Sequence, residues 1–475
     1  MPNTMECLIS RTQRKFGFYP AIITKDQILS YNHLHNLIAS TCKKLEKLSL
    51  KPHTRVAIHS ANTAECLILL LALWRRKAIT CPLNTRLPSK ALRQQMKMVQ
   101  CHTIFCARET RQKILSRGYK TFLIENIVSR FIDKEINSTK PYPIPLDQVL
   151  TILFTSGSTG EPKAVAHTFG NHYYSALGSN QNIPVKPFDR WLLSLPLYHV
   201  SGLSILFRCF LEGGTIVIPQ QKEDLAQTIA FFRVTHVSCV TTQVYQLLKQ
   251  RKLSQKLKSL KVMLVGGGPI PKLLITTCTR KKLPIHVTYG LTEMSSQVAT
   301  SNRLTIKDHR PKTKVLKYRH IKISQGNEIL VKGQTLFKGY VVKRKIIPTL
   351  DKKGWFHTGD LGGLKSGRYL TVTGRKDSMF ISGGENIQPE EIEQQLLRIS
   401  GIEKALVVSH KDKQFDYRPV AFIKTKVRRA LSSRKLTKLL ERHLPRFKIP
   451  IKFYRWPSYL DTKDKINRKV LEKLL

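Results

Sequence analysis

Residues 149–163 read VLTILFTSGSTGEPK. The apolar run 149–154 has the pattern of a buried β-strand, and it leads directly into the loop 155–163. The loop holds two glycines, four hydroxyl side chains and one lysine, which together can offer backbone N–H groups, hydroxyl donors and a cation to phosphate oxygens. It is not a Walker A motif, because Lys163 follows Pro162 rather than glycine. A phosphate-binding loop is one interpretation, and a surface turn rich in Ser, Thr and Gly is the other.

Two further apolar segments lead into glycine-containing loops. Val262–Val265 is followed by three glycines at 266–268, and 286–288 is followed by YGLTE at 289–293. In an α/β sheet such junctions lie at the carboxyl ends of strands, where ligands bind. The sequence therefore predicts several ligand-binding loops on one α/β scaffold.

The region before residue 149 alternates between strand and helix patterns. Residues 56–58 predict a short strand, 64–74 predict a packed helix, and 82–84 break the chain. The PYPIP stretch at 141–145 is typical of a linker. This alternation favours an α/β fold for the first part of the chain.

The pattern changes after Gly374. A strand at 380–381, a helix at 389–399 and a strand at 405–408 predict a β-α-β-like unit, and we place a hinge near residues 376–377. The chain has 475 residues, which is too long for one compact core. We therefore predict a large α/β domain over 1–375 and a small α+β domain over 376–475.

The charge balance is strongly basic. Lys and Arg number 81 and Asp and Glu 31, which gives a net charge of +50. One interpretation is a polyanionic partner such as nucleic acid or an anionic membrane surface. The other is a general excess of Lys and Arg spread over solvated faces. We favour this interpretation because the basic residues are dispersed and no zinc-finger or RNA-recognition signature is present. No specific nucleic-acid partner is expected, although a positive field would help to capture small anions.

Cysteine usage and hydropathy indicate the compartment. The nine cysteines form no C-x-x-C, and an odd number cannot all pair within the chain, so reduced thiols are expected and a zinc site is not. The N-terminus lacks a signal-peptide pattern. The longest apolar run, 66–74, is far shorter than the roughly 20 residues of a membrane span. The expectation is a cytoplasmic protein without a transmembrane segment.

Five motifs extend the pattern over nearly the whole chain. They are TSGSTGEPK (155–163), YGLTEMS (289–295), GWFHTGD (354–360), GRKDSMFISGGENIQPEEIE (374–393) and KINR (465–468). In this order they resemble the motifs of the adenylate-forming superfamily of acyl-CoA synthetases, adenylation domains and luciferases. The resemblance implies an ATP- and acyl-binding N-terminal domain and a mobile C-terminal lid domain. It also implies that a carboxylate reacts with ATP to give acyl-AMP and pyrophosphate, and that CoA then gives a thioester, with Mg²⁺ as cofactor.

The resemblance implies a nucleotide site. The residues that it places at the β- and γ-phosphates are Thr155, Ser156, Gly157, Ser158, Thr159, Gly160 and Lys163. Thr292 would contact the α-phosphate, and Glu293 would hold Mg²⁺, which prefers carboxylate oxygens. Tyr289 would lie near adenine, and Asp360 and Arg375 would contact the ribose. Read alone, Asp360 is also a good turn residue, and Glu293 is equally an ordinary solvated carboxylate.

The resemblance also implies that Lys465 is the catalytic lysine of adenylation. A lysine and Mg²⁺ that bridge two anions lower the barrier set by charge repulsion. The chain departs from the family here, because Asp464 stands where the family usually has glycine. Lys463 and Lys469 are close alternatives, and a solvated basic tail is the ordinary interpretation.

The remaining C-terminal roles concern thioester formation. Asp377 matches the family's hinge position between the two half-reactions. Gly383 and Gly384 would line the channel for the pantetheine arm of CoA, because a backbone without Cβ lets a narrow chain pass. A plain β-turn is the alternative for these glycines.

The acyl pocket is indicated by LPLYHVSG at 195–202, which resembles the acyl- and aryl-CoA ligase form of this motif. His199, Ser201, Arg208 and Gly267 are its predicted residues. Together with YGLTEMSSQVAT and GGENIQPEEIE, the pattern is similar to the o-succinylbenzoate–CoA ligases of menaquinone synthesis. Arg208 would then hold the second carboxylate of the substrate through two parallel hydrogen bonds, unless it is a helix-surface cation.

Two other functions stay open from the sequence. One is another aryl- or medium-chain acyl-CoA synthetase, and the other is a basic nucleic-acid-binding protein on an inactive adenylating scaffold. The segment 303–321 departs from the family, because it is basic and has no glycine where the family has a glycine-rich stretch. The oligomeric state stays open, and a homo-oligomer is one option.

Overall fold

A computed structural model describes residues 3–113, 118–128, 142–156, 162–220, 223–268, 270–308, 311–382, 385–412, 416–425, 432–461, 468–472 and 474–475. Within these ranges the chain forms 28 β-strands, 14 α-helices and five short 3₁₀ helices.

The strands in chain order are β1 (Thr4–Glu6), β2 (Pro20–Ile23), β3 (Ile28–Ser30), β4 (Arg55–His59), β5 (Ile79–Pro82), β6 (Thr103–Cys106), β7 (Lys120–Leu123), β8 (Pro143–Pro145), β9 (Val149–Ser156), β10 (Pro162–Thr168), β11 (Arg190–Leu192), β12 (Thr215–Val217), β13 (His236–Val240), β14 (Val262–Gly266), β15 (Ile285–Leu291), β16 (Ser296–Ser301), β17 (Thr313–Val315), β18 (Arg319–Ile323), β19 (Glu328–Gly333), β20 (Gly339–Val342), β21 (Lys345–Ile347), β22 (Phe356–Lys365), β23 (Tyr369–Arg375), β24 (Phe380–Ser382), β25 (Glu385–Ile387), β26 (Ile402–Asp412), β27 (Asp416–Thr425) and β28 (Lys452–Arg455).

The α-helices are α1 (Leu8–Phe16), α2 (Tyr31–Glu46), α3 (Ala64–Arg75), α4 (Ser89–Met98), α5 (Ile124–Ile127), α6 (Phe169–Asn182), α7 (Val200–Glu212), α8 (Leu225–Phe231), α9 (Thr241–Leu248), α10 (Leu253–Lys256), α11 (Lys272–Arg280), α12 (Pro389–Leu396), α13 (Ser433–Glu441) and α14 (Arg468–Glu472). The 3₁₀ helices are Arg108–Lys113, Thr292–Met294, Lys376–Ser378, Arg446–Lys448 and Ser458–Leu460.

An eight-stranded sheet carries the first predicted phosphate loop. Its order is β21-β20-β10-β9-β5-β4-β6-β7, and β9, β5, β4, β6 and β7 run parallel to one another. Strands β9 and β10 form an antiparallel hairpin in which Thr155 lies opposite Lys163. The loop 157–161 between them is outside the described residues, but its two flanking strands fix where it begins and ends.

A thirteen-stranded sheet carries the other predicted loops. Its order is β18-β19-β22-β23-β17-β16-β15-β14-β13-β11-β12-β2-β3. Strands β13, β14 and β15 are parallel neighbours, so the loops that follow Val262–Gly266 and Ile285–Leu291 leave the sheet at the same edge. The predicted strand-to-glycine junctions therefore lie on two sheets rather than one.

Helix α3 lies in the main apolar core. Its sequence is apolar on nearly every face, and such a helix is stable only when it is buried all round. The Thr63 side chain caps it by accepting a hydrogen bond from the Cys66 amide at 3.1 Å. Leu67, Leu69 and Leu70 are fully buried, and each contributes about 1.5–3 kcal/mol of hydrophobic stabilisation. The predicted helix at 64–74 is confirmed.

The chain after Arg375 forms its own sheets. In the described residues, β24 pairs with β25, and β26, β27 and β28 form a three-stranded sheet. Helix α12 packs on β26, and a separate apolar cluster includes Ile387, Ile392 and Val407. The smaller C-terminal unit is therefore α+β in character.

One local prediction is wrong, and another differs from the structure in detail. The PYPIP stretch is no linker, because Pro143–Pro145 pairs with Thr4–Glu6, and extended prolines can occupy a short edge strand. The strand, helix and strand predicted after Gly374 are present as β24, α12 and β26, although β24 pairs antiparallel with β25 rather than with β26. Helix α12 ends at Leu396 rather than at 399.

All nine cysteines are buried free thiols. Burial raises the pKa of Cys42, Cys66, Cys239 and Cys278 to about 12. In the described part of the chain, no helix is both long enough and apolar enough to cross a membrane.

Candidate active site

The β9–β10 hairpin positions the predicted phosphate loop. Thr155 and Lys163 face each other in the register, and Ser156 ends the first strand opposite Pro162. Gly157, Ser158, Thr159 and Gly160 lie outside the described residues, so their roles stay predictions.

Lys163, Tyr340 and Glu293 form one polar group beside this hairpin. The Lys163 ammonium lies 5.2 Å from the centre of the Tyr340 ring, a cation–π distance. The Tyr340 hydroxyl donates a hydrogen bond to Glu293 Oε1 at 2.7 Å. The bond orients the carboxylate and leaves further lone pairs on its two oxygens, which suit a hard cation. The sequence analysis missed Tyr340, because nothing in GYVV marks a partner of Glu293.

Thr292 is held through its backbone. His167 Nε2 lies 2.7 Å from the Thr292 carbonyl oxygen. Burial lowers the pKa of His167 to about 4, so the ring is neutral at pH 7 and its Nε2–H donates to that carbonyl. The Phe337 amide donates to the Glu293 carbonyl at 2.8 Å. His167 of β10 and Phe337 of the loop before β20 therefore fix the 292–293 backbone, so the predicted catalytic pair lies on a turn that is held from two sides.

Asp360, Arg375 and Tyr289 meet in one network, although they are far apart in the sequence. Asp360 is 8% exposed, and its Oδ2 accepts a hydrogen bond from the Tyr289 hydroxyl at 2.6 Å. Its Oδ1 accepts one from Arg375 Nη1 at 2.9 Å. Burial raises the pKa of Asp360, while these two donors oppose the rise. The carboxylate is thereby oriented with lone pairs left for further donors such as ribose hydroxyls.

Glu328 supports this network by binding Gly359 and Lys376, the neighbours of Asp360 and Arg375 in the chain. Its buried carboxylate accepts hydrogen bonds from the Gly359 amide at 3.0 Å and from Lys376 Nζ at 3.3 Å. Burial acts to raise the pKa of Glu328, but these donors and His357 outweigh it and lower the pKa. Gly359 has φ +72°, a conformation that favours glycine. A lone Glu at the start of a strand gives no sequence signal for this role.

Asp377 lies beside the network in the 3₁₀ helix Lys376–Ser378. Its Oδ1 accepts a hydrogen bond from Arg375 Nε at 2.9 Å. Gln388 Nε2 also donates to the Arg375 carbonyl at 3.1 Å, which ties the start of the C-terminal unit to the end of β23. The hinge role of Asp377 stays a prediction.

Arg208 is buried on α7 with 1% of its surface exposed, so the interpretation as a helix-surface cation is wrong. Its guanidinium lies 5.1 Å from the centre of the Trp191 ring, and Nη2 donates to Ser296 Oγ at 3.3 Å. No carboxylate forms an ion pair with Arg208 within the described ranges. Burial lowers its pKa to about 10, so it stays charged at pH 7. An unpaired buried charge is costly, and a carboxylate ligand would relieve that cost.

The other predicted acyl-pocket residues lie near the ends of α7 and β14. His199 is the exposed N-cap residue of α7, with its ring 4.7 Å from that of Tyr198. Ser201 is in the first turn of α7, about two turns from Arg208 and on the same face. Gly267 follows β14 with φ +86°, as a tight glycine turn requires.

Lys465, Gly383 and Gly384 lie outside the described residues. Arg468, three residues after Lys465, is strongly anchored to the C-terminal unit. Its guanidinium pairs with Glu390 Oε1 at 2.8 Å and Glu393 Oε1 at 2.8 Å, and it donates to Ser378 Oγ at 3.0 Å. Arg468, the last residue of KINR, therefore anchors the start of α14, a role that the sequence analysis did not assign.

Comparison with known proteins decides the family. The family model described as AMP-binding enzyme matches residues 9–341. This chain belongs to the AMP-binding enzyme family. The prediction that it is an adenylate-forming enzyme is thereby confirmed.

Two curated relatives of this AMP-binding enzyme are named for the same activity. The chain is 35% identical over 443 residues to the 2-succinylbenzoate–CoA ligase of Oceanobacillus iheyensis, covering 89% of each chain. It is 31% identical over 468 residues to the 2-succinylbenzoate–CoA ligase of Bacillus subtilis strain 168, covering 96% of this chain and 93% of the relative. These similarities favour neither another acyl-CoA synthetase nor a nucleic-acid-binding protein.

Solved structures of the same kind share the fold. O-succinylbenzoate coenzyme A synthetase from Bacillus subtilis in complex with ATP and magnesium ion is 29% identical, with a TM-score of 0.87 over 99% of this chain and 100% of that chain. The same synthetase in complex with its acyl-adenylate intermediate is 28% identical, with a TM-score of 0.85 over 99% of each chain. The predicted fold class, a large N-terminal α/β domain with a smaller α+β C-terminal domain, is confirmed.

Proposed function

We propose that this AMP-binding enzyme is an ATP-dependent o-succinylbenzoate–CoA ligase of menaquinone biosynthesis. The observation that carries the substrate assignment is Arg208, a fully buried and charged guanidinium without a described carboxylate partner. O-succinylbenzoate has two carboxylates, and only one is activated. The other is suited to the guanidinium fork of Arg208, which can donate two parallel hydrogen bonds.

The nucleotide roles follow from the polar groups around the two sheets. Lys163 and the 155–160 loop would bind the β- and γ-phosphates, and Thr292 would contact the α-phosphate. Asp360, supported by Tyr289 and Arg375, would bind the ribose. Glu293 would hold Mg²⁺, which supplies positive charge at the phosphates when bound.

The second half-reaction requires the C-terminal unit. We propose the division 1–375 and 376–475, with Asp377 at the hinge and Lys465 as the adenylation lysine. Gly383 and Gly384 would line the pantetheine channel for CoA. The pairing of strands after Arg375 mainly among themselves, within the described residues, supports this division.

We also propose a cytoplasmic location, which nine buried free thiols support, since such thiols are typical of a reducing compartment. The partners are the small molecules ATP, CoA and the carboxylate. The net charge of +50 suits three anionic substrates without a specific nucleic-acid partner.

A substrate panel tests the proposed function. Purified protein with ATP, Mg²⁺ and CoA is expected to release pyrophosphate much faster with o-succinylbenzoate than with benzoate, succinate, octanoate or a coumarate. The expected selectivity is at least about 100-fold, because buried polar groups of the site stay unpaired when the wrong acid binds. Faster turnover of another acid would keep the ligase mechanism and replace the substrate.

Glu293→Gln tests the magnesium role. The change keeps the size and removes the charge, so we expect pyrophosphate release to fall at least about tenfold and the half-saturating Mg²⁺ concentration to rise. The measurement is a Mg²⁺ titration of pyrophosphate release at saturating ATP. Glu46→Gln is the matched control, since Glu46 pairs with Arg76 on the surface at 3.0 Å. An unchanged Mg²⁺ dependence in Glu293→Gln would exclude Glu293 as the ligand.

A further inference from the structure

Arg319 comes from the segment 303–321 that departs from the family pattern. It is the first residue of β18 and is 4% exposed. Its Nε donates to the Gln297 carbonyl at 2.7 Å, and Nη1 donates to the Lys317 carbonyl at 2.8 Å. Its Nη2 donates to the carbonyl and to the hydroxyl of Ser175 at 3.2 and 3.1 Å. All of these acceptors are neutral oxygens.

Helix α6 has a glycine, Gly178, at the point where it contacts this guanidinium. A Cβ on Gly178 would lie 2.4 Å from Arg319 Nη1. Any larger residue at this position would therefore collide with the side chain. The close approach fixes the guanidinium between α6 and β16.

The contacts of Arg319 hold a strained turn. Ser295 and Ser296 have φ +52° and +105°, which are unfavourable for residues other than glycine. On one side of Ser296, the Ser175 hydroxyl donates to the Ser295 carbonyl at 2.5 Å. On the other side, Arg319 donates to the Gln297 carbonyl at 2.7 Å. Arg319 therefore restrains the turn on one side directly, and on the other side through Ser175.

This turn presents Ser296 to Arg208. Ser296 Oγ accepts a hydrogen bond from Arg208 Nη2 at 3.3 Å, and it also lies 3.3 Å from the Ser204 hydroxyl. Among the described contacts of the Arg208 guanidinium, Ser296 is the one hydrogen-bond partner. The position of Arg208 thus depends on a turn that Arg319 holds.

Arg319 and Arg208 are two buried positive charges that repel each other. Burial lowers the pKa of Arg319 to about 9, and repulsion from Arg208 adds to the effect. Both guanidinium groups remain charged at pH 7. Within the described ranges neither forms an ion pair with a carboxylate. Two like charges that share a buried region without a counter-charge favour binding of an anion.

We propose that Arg319 is a positioning residue that sets the selectivity of this enzyme for a substrate with a second carboxylate. It fixes the Ser295–Ser296 turn against Arg208 and adds a second positive charge to the same buried region. This inference rests on the proposed function. It assigns a role to a residue from the basic segment that replaces the family's glycine-rich stretch.

The test compares two acids that differ by one carboxylate. O-succinylbenzoate and 4-oxo-4-phenylbutanoate have the same succinyl arm, but only the first has a ring carboxylate. We expect Arg319→Met to lower kcat/KM for o-succinylbenzoate by about 10–100-fold, mainly through KM, because a buried charge contributes to anion binding. The value for 4-oxo-4-phenylbutanoate and the KM for ATP should change little. Arg319→Lys should give an intermediate selectivity ratio, since it keeps the charge but not the fork.

Arg55→Met is the matched control. The Arg55 guanidinium also binds backbone carbonyls, those of Val99 and Arg344 at 2.8 Å, but beside the eight-stranded sheet. Its selectivity ratio should equal that of the wild type. An equal loss for both acids in Arg319→Met would show a merely structural role and overturn the inference. If thermal melting shows that Arg319→Met does not fold, the selectivity ratio of Arg319→Lys decides instead. A ratio equal to that of the wild type would then overturn the inference. A wild-type enzyme that does not use o-succinylbenzoate would instead refute the proposed function.

Discussion

Replacing Lys465 with alanine is expected to slow acyl-adenylate formation by about 10²–10³-fold, the usual cost of removing one preorganised group that stabilises transition-state charge. The carboxylate must approach an anionic α-phosphate, and a lysine between them offsets their repulsion. Thioester formation from supplied acyl-adenylate should be nearly unchanged, because that step has no such encounter. Pyrophosphate exchange measures the first step, and CoA thioester release from synthetic acyl-adenylate measures the second.

The neighbouring lysines provide the controls for this experiment. Lys463→Ala and Lys469→Ala remove the same charge within four residues of Lys465 and should retain most of the activity. The anchor at Arg468 is untouched in all three variants, so α14 should keep its place. Equal losses in both half-reactions for Lys465→Ala would contradict the proposed role. A larger adenylation defect in a neighbouring variant would move the role to that lysine.

Replacing Arg208 with methionine is expected to raise the KM for o-succinylbenzoate by about 100-fold or more. Loss of one partner from a buried, hydrogen-bonded charge pair costs about 2–5 kcal/mol. Methionine keeps much of the side-chain volume against Trp191, so the change mainly removes the charge and its donors. The measurement is pyrophosphate release over a range of o-succinylbenzoate concentrations, together with the KM for ATP, which should be unaffected.

Arg190→Met is the matched control for this variant. Arg190 is partly buried on β11, and its Nη1 donates to the Phe232 carbonyl at 2.7 Å rather than to any group around Arg208. Its KM for o-succinylbenzoate should equal that of the wild type. If the KM for Arg208→Met is also unchanged, Arg208 does not bind the substrate, and the buried charge would need another explanation.

Local motifs lead to the predicted nucleotide site, because the residues proposed for it lie next to glycine-containing turns that leave a sequence pattern. The hydrogen bonds among Asp360, Arg375 and Tyr289 could not be predicted in this way. Asp360 and Arg375 are register partners in β22 and β23, and Tyr289 reaches them from β15. The resemblance named all three as nucleotide contacts. Their hydrogen bonds to one another depend on strand pairing, which the motifs do not encode.

Residues without a motif were missed for a physical reason. Glu328 and Arg319 each stand at the start of a strand and act through contacts with distant backbone groups. Arg319 was seen only as one charge in a basic segment, because burial decides its role and burial is set by packing against α6. The strand Pro143–Pro145 was missed for a similar reason, because its partner Thr4–Glu6 lies far away in the sequence, near residue 1.

The buried thiols give this chain a practical property. Thiol-specific dyes react with the thiolate, and a pKa of about 12 at Cys42, Cys66, Cys239 and Cys278 keeps that form scarce at neutral pH. All nine native thiols are also buried, so a pair of cysteines engineered on exposed loops before and after residues 376–378 would be labelled in preference to them. Fluorescence energy transfer between two such dyes could follow the distance between the halves of the molecule during turnover, in a chain that keeps its own cysteines.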